Sequence, residues 1–277
     1  MTQHKLAFYN RPFPGVTSYF DLIDLSAQYG HSAFEGFNHM ELKQPDPEAA
    51  RRIRQYADAK GISCCCFSVY ADIVGENATE QIDRMKRFAE VAQILGSPFL
   101  HHTIAPHAKK ENLQGDELDR LFAKGVAGVR EIFDYAQELG VRCVYEDQAF
   151  LFNGVERFGR FLREVERNVG VVADVGNICQ MDQEILPFLH QFHQRIVHVH
   201  LKDMKPVGAD HPKALTTWNG NFFAETPVGT GTVKLAEAID TLRQYGYDGY
   251  YALEYGAPQD DSPEIDLALE KIKKWLG

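Results

Sequence analysis

A chain of 277 residues with 44% apolar and 25% charged residues has the make-up of a globular protein, and it is long enough to close one large α/β barrel. Its net charge of −10 comes with no basic run, which makes nucleic acid a poor partner on electrostatic grounds. No apolar stretch approaches the roughly 18–20 residues of a membrane span, and the opening MTQHKLAFYN has neither the apolar core nor the cleavage site of a signal peptide, so the expectation is a cytoplasmic protein with no membrane partner.

Strand and helix patterns alternate from the start. KLAFYN reads as a first strand, and SYFDLIDLSAQYG repeats apolar residues at helical spacing up to Gly30. SAFEGFN is a second strand, followed by the helix PDPEAARRIRQYADAKG, where Pro47 suits the first turn and Gly61 the end. ISCCCFSVY is a third strand; NATEQIDRMKRFAEVAQILG leads from it to PFLHHTI, the fourth. LDRLFAKGVAGVREIFDYAQELG then precedes VRCVYE, GVERFGRFLREVERNVG precedes VVADVG, DQEILPFLHQFHQ precedes RIVHVHLKD, and VKLAEAIDTLRQYGYDG precedes YYALEYG. The helix PEIDLALEKIKKWL closes the series. Eight strands alternating with eight helices predict a single (β/α)8 TIM barrel spanning residues 1–277 as one domain. An open doubly wound sheet is the alternative, weakened because no Gly-rich dinucleotide fingerprint follows the first strand.

Cys64, Cys65 and Cys66 are consecutive, and neighbours in a strand point to opposite faces, so they make no tetrahedral zinc site by themselves. All five cysteines are expected to be reduced thiols, with Cys179 a candidate for reactivity beside a strand end. The long segment from Met204 to Thr232 holds Trp218, Asn219, Phe222 and Phe223. It reads either as a packed surface excursion or as a lid whose aromatics cover a substrate.

Each of the last four strands carries one metal-binding residue type near its C-terminal end: Glu146, Asp174, His200 and Glu254. Singly, each has a bland reading as a solvated acid, a turn former or a core histidine. On consecutive strands about 4.8 Å apart they line one arc of the barrel mouth. Three carboxylates and an imidazole held face to face repel without a cation between them. One divalent metal ion resolves this, and the oxygen-rich set suits Mn2+, Mg2+ or Co2+ while admitting zinc. Strand parity puts His198 and Lys202 on the face of His200, and small residues (Ala252 beside Glu254, Gly176 beyond Asp174) on the crowded inner face. Tyr251, Leu253 and Tyr255 then face the helices.

With HxHLKD on the seventh strand, PVGTGTVKLAEAIDTLRQYGYDGYYALEY after it and FSVYAD after the third, the chain resembles the xylose-isomerase-like barrels along nearly its whole length. That superfamily includes sugar and sugar-phosphate isomerases and epimerases, inosose dehydratase and endonuclease IV. The resemblance implies that Glu146, Asp174, His200 and Glu254 hold the metal, and that Glu146 and Glu254 also move protons. Two departures bear on the substrate: Asn177 stands where many members have His, and Asn38 where many have Glu.

The expected activity is isomerisation or epimerisation of a small ketose or keto-sugar, phosphorylated or not, through a metal-stabilised enediolate. One glutamate removes the proton next to the carbonyl and the other returns one. His102, Asn177 and Lys202 are candidates for contacts to substrate oxygens, with His101 the alternative to His102 as the inward residue. A keto-polyol dehydratase is the close rival, since it shares the first proton abstraction and then expels a β-hydroxyl. A sugar-binding barrel without turnover and an endonuclease IV-type nuclease are more remote; His101, His102, His107 and His211 keep the nuclease in view, and the acidic charge opposes it. A small sugar is the expected partner, in a homodimer or homotetramer.

Overall fold

Local signals start and stop the helices. Asp46 accepts the Glu48 and Ala49 amides at the head of a helix that begins with Pro47 and ends at Gly61, whose φ of +69° a side chain would oppose. Ser18 likewise accepts the Asp21 amide before the first helix. The computed structural model describes residues 5–9, 15–254 and 262–277, with Tyr255 and Gly256 outside them. The strands are β1 (Leu6–Tyr9), β2 (Ala33–Phe37), β3 (Ser63–Val69), β4 (Phe99–His102), β5 (Arg142–Glu146), β6 (Gly170–Asp174), β7 (Ile196–Leu201), β8 (Asp203–Pro206), β9 (Leu215–Thr216), β10 (Phe222–Thr226) and β11 (Tyr251–Leu253). The helices are α1 (Tyr19–Gln28), α2 (Pro47–Lys60), α3 (Ala78–Leu95), α4 (Gly115–Glu138), α5 (Val155–Glu164), α6 (Ile185–Phe192), α7 (Leu235–Gln244) and α8 (Ser262–Leu276).

Strands β1 to β7 and β11 form a closed parallel barrel, β11 lying between β7 and β1. This is the (β/α)8 barrel that the alternation predicts. Outward residues such as Phe8, Phe34, Phe67, Tyr145, Val171, Val199, Tyr251 and Leu253 pack with the helices in one continuous apolar layer. Burying a side chain of this size contributes about 1.5–3 kcal/mol. The inner face is filled by smaller groups, Ala7, Ala33, Cys65 and Ala252 on one side and Cys66, Val144 and Val172 on the other.

Two register shifts shape that interior. Phe34 pairs with Cys64 and Glu35 with Cys66, so Cys65 is an extra residue in β3; Val171 pairs with Ile196 and Val172 with His198, so Val197 is extra in β7. The bulge lets Cys65 and Cys66 both reach the inside, against the simple alternation of a strand. All five cysteines are free, as reduced thiols would be.

The segment after β7 is more ordered than a loop. β8, β10 and β9 make an antiparallel sheet outside the barrel. Its base is fixed by Asp203, whose carboxylate accepts the amides of Met204, Gly229, Gly231 and Val233. Gly231 is required there, because a Cβ would lie 2.2 Å from Asp203 Oδ1. Its tip is pinned by Trp218, which lies under the Arg157 guanidinium at 4.2 Å and beside Phe150 at 5.8 Å. Lys110 donates to the Trp218 carbonyl, and Asp182 accepts from Thr217, Asn219 and Asn221. Trp218 is thus packed against the loops after β4 and β5. Phe222 and Phe223 line a separate cavity of about 730 Å3 with Val175 and Ile178.

Candidate active site

The four strand-end residues meet. Glu146, Asp174, His200 and Glu254 each offer a ligand atom, and these atoms lie within 4.8 Å of one another. His200 Nδ1 is 3.0 Å from Glu146 Oε2, 3.4 Å from Glu254 Oε2 and 3.9 Å from Asp174 Oδ2. None of the four is more than 7% exposed. Asp174 is held by its own turn, its Oδ1 accepting the Gly176 and Asn177 amides at 2.9 Å. Lys202 reaches in from the same side, 2.9 Å from both Asp174 Oδ2 and Glu254 Oε1. Gly176 makes room for it, since a Cβ there would meet Lys202 Cγ at 2.8 Å. Asn177 accepts from Lys202 Nζ at 3.1 Å.

Beneath this group lies a carboxylate that the strand-end pattern does not reveal. Glu35, fully buried on β2, accepts from His198 Nε2 at 2.6 Å, His200 Nε2 at 3.1 Å and Ser68 Oγ at 2.6 Å. Burial works to raise its pKa, but the charge and hydrogen bonds of His200 and His198 carry it well below the usual carboxylate range. Its hold on His200 Nε2 aims the other ring nitrogen, Nδ1, at the three carboxylates, the arrangement that prepares an imidazole to be a metal ligand.

His101, not His102, is the inward histidine of β4. Its Nδ1 is 2.9 Å from Ser68 Oγ and its Nε2 is 3.7 Å from Glu146 Oε1. His102 turns outward to Tyr145 Oη at 2.8 Å, and burial lowers its pKa to about 4. The physical reason is parity: on a short strand one of two adjacent residues must face the helices. Asn38 accepts the Tyr70 amide at 2.7 Å, and the carboxylate of the second strand is Glu35, three residues earlier. Cys179 is no activated thiol, because burial, followed by the nearby Asp174 and Asp147 carboxylates, pushes it up to about 12.

The donor set fits a divalent cation on electrostatic grounds. Glu35, Glu146, Asp174 and Glu254 are buried carboxyls, partnered by Lys202, His200 and His198. The shortage of positive charge shows in the pKa values. Desolvation, offset by Lys202 and reinforced by Glu254 and Glu146, raises Asp174 to about 7. His200 is raised well above its ordinary value: burial opposes its charge, but Glu35 and hydrogen bonds to Glu146 and Glu254 outweigh it. Glu146 is lowered, burial being outweighed by His101 and His200. Beside it, Asp147 has no side-chain hydrogen-bond partner for either oxygen among the described residues, and burial with Asp174 and Glu146 nearby raises its pKa well above the ordinary value. Protons on Asp174 and His200 stand in for positive charge that a dication would bring.

The model of the xylose isomerase-like TIM barrel matches residues 23–276. The chain belongs to that family. Among curated relatives it is 26% identical over 176 residues to an inosose dehydratase of Lacticaseibacillus casei, covering 60% of this chain and 56% of the relative. It is 24% identical over 203 residues to an L-ribulose-5-phosphate 3-epimerase of Salmonella paratyphi A, covering 58% of this chain and 66% of the relative. These matches span somewhat more than half the length of either relative. Among solved structures, a xylose isomerase domain protein from Planctomyces limnophilus superposes with a TM-score of 0.79 at 17% identity, covering 98% of this chain and 97% of the other. That likeness shows the shared barrel. No described helix is long and apolar enough to cross a membrane.

Proposed function

We propose that this protein is a metal-dependent isomerase or epimerase of a small keto-sugar. The observation that carries the reading is the meeting of Glu146, Asp174, His200 and Glu254 at one point, short of positive charge. Those four would hold one divalent ion, with Mn2+, Mg2+ or Co2+ favoured by the oxygen-rich set. Bound there, the ion would supply Lewis acidity toward a substrate carbonyl and neutralise the carboxylates.

The chain's own groups do the proton work. Glu146 and Glu254, on β5 and just after β11, flank the point where a substrate carbon would sit. One takes the proton from the carbon next to the carbonyl. The other returns a proton to the opposite face of that carbon, giving an epimer, or to the neighbouring carbon, giving an isomer. Lys202 balances Asp174 and Glu254, and its ammonium is within reach of an oxygen on the substrate. The low exposure of the group excludes bulk water, which strengthens each of these contacts.

The match to an inosose dehydratase supports a second reading, in which the same proton abstraction is followed by loss of a β-hydroxyl. One experiment covers both. The protein is stripped with chelator, reloaded with Mn2+ or Co2+, and incubated in D2O with unphosphorylated and phosphorylated ketoses and an inosose. Solvent deuterium should enter the product only in the reloaded protein, and Glu254→Gln should strongly slow it. Exchange indifferent to chelator would sink the metal-dependent reading, and exchange unchanged in Glu254→Gln would remove that residue's role. An absorbing enone or diketone product would select the dehydratase.

A further inference from the structure

A second imbalance of charge lies at the other end of the barrel from the mouth. The segments that lead into β6 and β7, with α5 and α6, wall a cavity of about 660 Å3. Three arginines line it, Arg163, Arg167 and Arg195, in a chain whose net charge is −10. Arg167 is matched, forking onto Asp134 at 2.6 and 2.8 Å. Glu166, the carboxylate in the lining, is taken by Arg130 at 2.7 Å. Arg163 and Arg195 make no hydrogen bond or ion pair among the described residues, and Arg195 Nη1 is buried without an acceptor. Arg142, at the start of β5, adds a third unmatched charge. It donates to Asn168 O at 3.0 Å and to Asn168 Oδ1 at 3.1 Å, both neutral, and burial followed by the charge of Arg195 lowers its pKa. A half-buried cation without a counter-charge is costly. The carbonyl end of α5 does not supply one, because Arg130 occupies the Glu164 and Val165 carbonyls.

We propose that this cavity is an anion site for a small soluble phosphate monoester, held by Arg195 and Arg163 on the face of the barrel away from the mouth. Charge sets the class of ligand. Each helix end contributes about half a negative charge, so the ends of α5 and α6 together offset one of the three guanidiniums that no carboxylate matches. About two positive charges remain, the complement of a phosphate monoester near neutral pH. A guanidinium fork also meets phosphate oxygens two at a time. Neutral donors complete the cradle. Gln191 Nε2 and Arg163 Nη1 converge over Gly159, where a Cβ would lie 3.1 and 3.4 Å from them. Asn168 spends its Oδ1 on Arg142, which leaves its Nδ2 as a donor in the lining. Leu162 and Phe192 give an apolar wall for the carbon part of the ester. The proposal uses no residue of the mouth and stands apart from the keto-sugar reading.

The test uses the full chain, loaded with Mg2+, at fixed ionic strength. The probes are inorganic phosphate and glycerol 3-phosphate, with succinate and chloride as controls. Calorimetry should show saturable binding of both phosphates. Arg195→Gln should weaken it about tenfold or more, because a hydrogen-bonded charge is lost, and Arg163→Gln should weaken it as well. Arg120→Gln removes an exposed arginine that pairs with Glu117 elsewhere on the surface, and it should change nothing. In the natural chain, with arginine labelled with 15N, the side-chain resonance of Arg195 should move along the same binding curve. Phosphate that binds as tightly to Arg195→Gln, or that saturates with the Arg195 resonance unmoved, overturns the proposal and places the anion elsewhere, the mouth included. No saturable binding overturns it too, and so does an equal response to succinate or chloride. Should Arg195→Gln not fold, the labelled natural chain still decides. Turnover enters none of these readouts, so the keto-sugar reading stands or falls separately.

Discussion

Replacing Asp174 by Asn probes the charge shortage at the mouth. Burial holds this carboxyl at about 7, against 3.8 for an ordinary one, so the metal-free fold binds its proton more tightly than the unfolded chain does. A group raised in this way favours the fold below the unfolded value, and the contribution drains away as pH rises through the folded value. At about 1.4 kcal/mol per pKa unit, the loss between about pH 5.5 and about pH 8.5 is about 2 kcal/mol. Asparagine keeps an acceptor for the Gly176 and Asn177 amides but sets an amide donor against Lys202 Nζ. That adds a cost of about 1–3 kcal/mol that does not vary with pH. Urea unfolding of both proteins in EDTA across this range should therefore show Asp174→Asn gaining on the natural chain by about 2 kcal/mol as pH rises. Titrating groups remote from the mouth cancel in the difference. Mn2+ at a hundred times its Kd should add about 2.7 kcal/mol to the natural chain and little to the variant. Parallel pH profiles for the two proteins would refute the argument.

Three further outcomes are expected. Glu35→Gln loosens the hold on His200 and should weaken Mn2+ binding by about 10–100-fold, read by calorimetry; unchanged affinity would show that Glu35 is not needed to aim the ring. His31 is buried with neither ring nitrogen hydrogen-bonded among the described residues, and burial, helped by Lys273, lowers it to about 4. Its contribution is present above the unfolded value of 6.5 and lost as pH falls toward 4, costing about 3 kcal/mol, so His31→Phe should flatten acid unfolding over that window. Asp203→Ala strips four amides of their acceptor and should cost at least about 2 kcal/mol in urea unfolding, with Asp203→Asn losing less.

The quartet was legible because each member sits where an apolar run ends, and the sequence prints that position directly. Glu35 was not legible. It lies inside SAFEGFN between phenylalanines, and only the closure of the barrel brings β2 under His200, on a strand 163 residues away from His198. The choice between His101 and His102 turned on the face of a four-residue strand, and two adjacent identical residues give no alternation to read. The bulges at Cys65 and Val197 are set by pairing with a neighbouring strand, which one strand's sequence does not contain. The sheet of β8, β9 and β10 reads as a long loop in the sequence because strands of two to five residues carry too little periodicity to stand out from the glycines around them.

The peptide unit joining Lys202 to Asp203 has opposite duties at its two ends. Lys202 touches the carboxylates of the mouth, and Asp203 gathers the amides on which the outer sheet is seated. Chemistry and scaffolding are therefore one bond apart. Any swing of the outer sheet that began at its root would drag the ammonium off Asp174, so a pivot can lie only farther out, toward residues 208–214. That stretch is mostly exposed, so its length or composition can change while the centre stays in register.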